Sequence, residues 1–288
     1  MVRFRIIQTL LLGAALATAA CGTSVATAET PPSTSGRPVD HGLVLRYQSV
    51  GGFVAPVTNY TRLPTFSLYA DGRVIVQQFV PTPYPPPALP YVFVRQISRP
   101  NVDRLVARAL AAGVGTTTDY GTPGIADATS TRFTVAGAHG TRTTEVYALG
   151  ESSDHAPGLT ARQRAARARL SALVAALNDL PGTLGIPVEH RPTPYRPTAI
   201  AALTRGWTAT GTPEDSPARA WPGAPLPGQR LGGTGLNCVT ATGATAARVL
   251  AVAATAHTNT PWTYHGRKWS ITFRPLLPDE TSCASLGR

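Results

Sequence analysis

The sequence predicts an α+β fold, with antiparallel sheets built from hairpins, about three packed helices and one disulfide. Three observations predict it. Short β-rich runs recur with tight-turn residues between them, most clearly Phe66 to Ala70, Asp71-Gly72 and Arg73 to Phe79, where Asp-Gly suits a two-residue hairpin turn. Helical periodicity is confined to three stretches: from Ser98 or Arg99 to Gly113, from Thr160 to about Leu180, and from about Ala244 to Ala256. Once Cys21 is lipidated or cleaved away, Cys238 and Cys283 are the only thiols left. In an oxidising compartment that is the arithmetic of one bond.

The elements follow in order. Arg3 and Arg5 precede a largely apolar run, Ile6 to Ala20, that is too short to span a membrane and stops at Cys21, so residues 1–20 read as an export signal. Two cleavage schemes fit. Thr18-Ala19-Ala20-Cys21 works as a lipobox, leaving an acylated Cys21 at the N-terminus, although an aliphatic residue is usual where Thr18 stands. Ala26-Thr27-Ala28 is an ordinary small-residue site, and cleavage before Glu29 gives a secreted product. Residues 21–40 are rich in Thr, Ser, Ala and Pro and read as a flexible stalk. Residues 41–185 form the expected α+β domain: a strand at Gly42 to Ser49, the hairpin above, a proline-dense excursion from Val80 to Pro90, a strand at Tyr91 to Ile97, a helix with Pro100 in its first turn, strands at Thr131 to Ala136 and Thr141 to Ala148, and a second helix stopped by Pro181-Gly182. Residues 186–236 read as a Pro- and Gly-rich connection with one strand near Thr198 to Leu203. Residues 237–288 read as a small subdomain packed on the first, with a strand from Cys238, a helix, and a hairpin of Trp262 to His265 and Lys268 to Phe273 turning at Gly266.

The formal charge is +11; export processing removes Arg3 and Arg5 but no acidic residue before Glu29, which leaves +9. Such a balance suits anionic envelope polymers or lipid headgroups, and an exported chain is a poor candidate for nucleic acid. The expected partners are a membrane, through an N-terminal lipid, and an anionic envelope polymer or envelope protein. The run Arg162, Arg164, Arg167, Arg169 reads as a solvated helix face. No G-x-S-x-G elbow, H-E-x-x-H helix, phosphate loop or Cys/His cluster occurs, so no cofactor, metal or catalytic residue is assigned. The six histidines are scattered. Ser153-Asp154-His155 reads as a solvated loop, and Asp119, Asp127 and Asp154 as loop carboxylates. Trp262, Tyr264 and Arg274 of the last hairpin are a candidate binding patch, with core packing as the competing reading. The expected role is a non-enzymatic binding module; the alternative is an exported hydrolase with a carboxylate site.

At LPTFSLYADGRVIV (Leu63 to Val76), YGTPGIADATSTRFTV (Tyr120 to Val135) and RPLLPDE (Arg274 to Glu280), the chain resembles a group of uncharacterised actinobacterial lipoproteins and secreted proteins. The likeness covers most of the chain after the stalk. It implies an exported protein of a Gram-positive type of envelope and brings no reaction, cofactor or substrate.

Overall fold

The computed structural model describes residues 42–137, 140–151, 157–185, 191–209 and 216–287. The signal 1–20, the stalk 21–40, Cys21 and the Ser153-Asp154-His155 run lie outside the described residues. Residues 39–288 cluster as one compact unit.

Strand β1 (Leu43–Val50) leads through a short helix α1 (Pro56–Thr61) to β2 (Phe66–Tyr69), β3 (Arg73–Gln77) and β4 (Val92–Gln96). Helix α2 (Arg99–Ala112) precedes β5 (Ser130–Gly137) and β6 (Gly140–Tyr147), and α3 (Ala161–Asn178) and α4 (Leu180–Leu184) follow. With β7 (Thr193–Pro194) these strands form a seven-stranded antiparallel sheet in the order β6-β5-β1-β2-β3-β4-β7. A second sheet of six strands, ordered β10-β11-β8-β13-β12-β9, takes β8 (Ala199–Gly206), β9 (Arg219–Ala220), β10 (Gln229–Arg230), β11 (Asn237–Thr242), β12 (Trp262–Tyr264) and β13 (Arg267–Pro275). Helix α5 (Gly243–Ala253) comes between β11 and β12 in sequence, and among the described residues only β9 and β12 pair in parallel. The fold is α+β, as the patterning predicts.

Alternation on each strand decides what covers each face. In the first sheet Leu45, Tyr47, Phe66, Leu68, Phe133 and Val146 turn toward Leu105, Ala109, Leu170 and Leu173 of α2 and α3, forming the larger core. Thr160 caps α3 in a reciprocal box with Gln163, and Gly113 ends α2 in the left-handed conformation. In the second sheet Ile200, Ala202, Ile271 and Phe273 face Val249 and Ala253 of α5. Its other face, with Ala201, Leu203 and Cys238, is covered by the C-terminal segment and by Val57 and Tyr60 of α1. Cys238 of β11 is bonded to Cys283, whose backbone N–H also donates to Thr240 Oγ1 at 3.0 Å.

Several expectations change. Asp71-Gly72 is not a two-residue turn: the Gly72 N–H donates to Tyr69 O at 2.9 Å and only Gly72 has positive φ, so the hairpin closes through a longer loop braced by Asp71 on Arg73. The last hairpin does turn on two residues, since His265 and Gly266 both have positive φ. Pro181-Gly182 does not stop the second helix. The break falls at Asp179, whose carboxylate accepts from Gly182 N and starts α4, where Pro181 is tolerated in the first turn. Arg167 is not solvated; it is buried and donates to the carbonyls of Tyr120, Tyr147 and Ala148, tying α3 to the sheet. The stretch 186–236 supplies β7 to one sheet and β8, β9 and β10 to the other.

Candidate binding cleft

The binding patch expected on the last hairpin does not form. Trp262 is fully buried and packs against Trp221 and Phe273 at centroid distances of 5.9 and 5.4 Å, with Tyr264 half-buried beside the same core. Arg274 follows Phe273, so strand alternation turns it to the opposite face of the sheet, away from Trp262. What Arg274 joins there is a cleft of about 740 Å³ bounded by the first sheet, α1 and the C-terminal segment.

The cleft is assembled from both sheets. Leu45 and Tyr47 point into the helical core, so Arg46 and Gln48 of β1 point the other way, and Arg132 stands opposite Gln48 on β5. Arg46 Nε donates to Ser67 Oγ at 2.9 Å, and its Nη2 donates to Asp279 Oδ1 at 2.8 Å and to the Tyr69 hydroxyl at 3.3 Å. That hydroxyl donates in turn to Asp279 Oδ1 at 2.6 Å. From the second sheet, Arg274 forms a forked pair with Glu280 at 2.7 and 3.0 Å, and the Leu277 N–H donates to the same carboxylate at 2.8 Å. The neighbouring carboxylates Asp279 and Glu280 therefore fasten one sheet each. The disulfide at Cys283 and the packing of Leu286 in one cluster with Tyr60 hold the rest of this segment down.

The electrostatics follow from burial and pairing. Burial alone would raise the Asp279 carboxyl, but Arg46 and the Tyr69 hydroxyl overcome it and hold Asp279 below the ordinary carboxylate range. Burial and the Asp279 charge push the Tyr69 phenol up, so it stays a neutral donor. Burial lowers the Arg274 guanidinium against the pull of Glu280, and Arg274 Nε is buried without a hydrogen-bond partner among the described residues. Arg62 reaches only the Gly51 carbonyl, at 3.4 Å, among the described residues. Arg132 pairs with Glu145 at 3.0 Å, both partly solvated, and an exposed pair of this kind is worth about 1 kcal/mol or less.

Four arginines and two carboxylates thus line the cleft, with Gln48, Ser49 and Asn59 adding neutral polar groups. The carboxylates are occupied, whereas Arg62 and Arg132 can take a new anionic partner. Of the predicted residues, only Arg274 belongs to this site; RPLLPDE had marked it, together with Asp279 and Glu280, without revealing what they do. Asp119 is spent on the Gly121 N–H and the Gln163 side chain, and Asp154 lies outside the described residues. Among the described residues no group of three or more His, Cys, Asp or Glu side chains could hold a metal, and no helix is long and apolar enough to cross a membrane. No family model, curated protein or solved structure matches the chain.

Proposed function

We propose that this is an exported cell-envelope protein, acylated at Cys21, that acts as a non-enzymatic binding module and holds a stretch of an anionic envelope polymer in its cleft. The observation that carries the reading is the division of labour in the cleft: Asp279 and Glu280 are consumed in holding the sheets together, while Arg62 and Arg132 line the same space with weak partners or none of opposite charge. A carboxylate-based hydrolase pairs a protonated acid with an ionised base, and Asp279, held ionised by Arg46, does not supply the acid. The basic balance of the chain favours the same ligand class, and the basic start, apolar run and Cys21 support the address, as does the resemblance to actinobacterial lipoproteins.

The test is a titration with a soluble polyanion, a polyglycerol phosphate or a polyuronate chain, followed at two salt concentrations. Arg62→Ala is expected to weaken binding about tenfold and to flatten its salt dependence, since it removes a charge-assisted contact and leaves both sheet-holding pairs intact. Equal affinity of Arg62→Ala and the unaltered protein would contradict the assignment of the cleft.

A further inference from the structure

Large apolar side chains left in solvent are not spread over this molecule. Phe53 is 87% exposed, Phe79 94%, Tyr84 75%, Val80 42% and Tyr91 39%; outside the two loops that carry them, only Leu110 among the described residues joins the group. The first loop follows β1 and the second follows β3. Both strands pair antiparallel with β2, so they run in the same direction and their loops leave the same end of the first sheet, about 10 Å apart across one intervening strand.

Both loops are free of charge. No Asp, Glu, Lys or Arg lies between Arg46 and Arg62, or between Arg73 and Arg95. The second loop is also held rigid. Gln78 N–H donates to Tyr91 O at 3.0 Å at its base, Ala88 N–H donates to Ala256 O and Thr258 N–H to Pro86 O, both at 2.9 Å, and prolines at 81, 83, 85, 86 and 87 restrict the arch between them. A rigid arch gives up little entropy when its aromatic tips are buried by something else.

We propose that these two loops are a bilayer contact, with Phe53, Phe79 and Tyr84 entering the boundary between headgroups and acyl chains. One aromatic tip on the first uncharged loop and two on the second match the layered chemistry of that boundary, where Phe buries an apolar ring and Tyr keeps its hydroxyl at the polar level. Arg62 beside Gly51, and the exposed Arg191 next to Pro192, which shares a shallow hollow with Gln78, bring positive charge to the same end. Asp127 lies on the β5 side of Phe53. The contact rests on the proposed tether for its setting: the segment 22–41 can reach at most about 70 Å, well beyond the roughly 27 Å length of β1, so an acylated Cys21 and these loops can meet one bilayer. Two or three aromatic tips give weak, reversible attachment that complements an acyl anchor.

Residues 39–288 contain every buried cluster among the described residues and the disulfide but not Cys21, so sedimentation of this fragment with vesicles of phosphatidylglycerol and phosphatidylcholine reads the loops without the anchor, after circular dichroism and a cooperative melt have shown that it is folded. The fragment is expected to sediment with vesicles. Phe53→Ser with Phe79→Ser is expected to lose at least fivefold of the bound fraction, and Leu110→Ser to lose none. Phe79→Trp is expected to shift its emission to the blue on vesicle addition and to be quenched by brominated acyl chains. Failure of the fragment to bind, equal binding by the double variant, or an unshifted Trp at position 79 would overturn the proposal and leave acylation of Cys21 untouched.

Discussion

Asp279 is the residue on which most of the cleft's geometry converges. One of its oxygens accepts from Arg46 at 2.8 Å and from the Tyr69 hydroxyl at 2.6 Å, while Glu280 beside it is committed to Arg274 in the other sheet. Its folded-state pKa is lowered, so the stabilisation it provides is fully present above the ordinary aspartate value of about 3.9 and is lost as pH falls through the lower folded value. Melting temperature is therefore expected to decline on acidification below about pH 4. Asp279→Asn is expected to lower stability near pH 6 by about 2 kcal/mol and to flatten that decline, because the neutral side chain leaves Arg46 buried without its counter-charge. An Asp279→Asn protein with unchanged melting temperature at pH 6 would show that the pair does not hold the sheets. The same residue scale explains why the cleft was hard to read from the chain. Arg46, Arg62, Arg132 and Asp279 are far apart in sequence and carry no shared motif; only pairing of β1 with β5 and the return of the C-terminal segment make them neighbours.

Among the elements, legibility followed the strength of the local signal. Strong punctuation marked the β2–β3 hairpin, the His265-Gly266 turn, and α2 with its proline start and glycine end. Helix α1 left no trace in the periodicity because it has six residues and none is buried, and its role lies in lining the cleft. Strand β8 shows no alternation because Ile200, Ala201, Ala202 and Leu203 are buried on both faces of a central strand. The charge of Arg167 suggests solvent for a related reason, but carbonyls of Tyr120, Tyr147 at the end of β6 and Ala148 supply its partners inside the fold. Gly72 tests the hairpin as an element. It has φ +87°, and a Cβ there would lie 2.2 Å from Ile97 O, with backbone rather than a flexible side chain in the way. Gly72→Ala is expected to cost at least about 2 kcal/mol by thermal unfolding and to speed amide exchange across β2–β3; a change below about 0.5 kcal/mol would mean that the loop relaxes freely.

At the scale of the whole molecule, two sheets with separate cores are drawn together by their last segment. Leu276 packs with the second sheet and Leu277 with the first, Asp279 and Glu280 divide in the same way, and Cys283 closes a separation of 45 residues back to Cys238. In the chain-entropy picture a loop of that size contributes about 4 kcal/mol, a large part of the stability of an ordinary domain. Such a bond belongs to an oxidising compartment, which is the physical link between the fold and the proposed address. The loop that carries Phe53 also borders the cleft, since Val50, Gly51 and Val54 line it. A body tethered by Cys21 would then present its ligand site next to its bilayer contact. The intact mass of the natively exported protein, taken before and after reduction, tests this account most directly. The account predicts an N-terminus at Cys21 carrying a diacylglyceryl group and a gain of two hydrogens on reduction. A chain starting at Glu29 would contradict the tether, and a mass unchanged by reduction would contradict the closed fold.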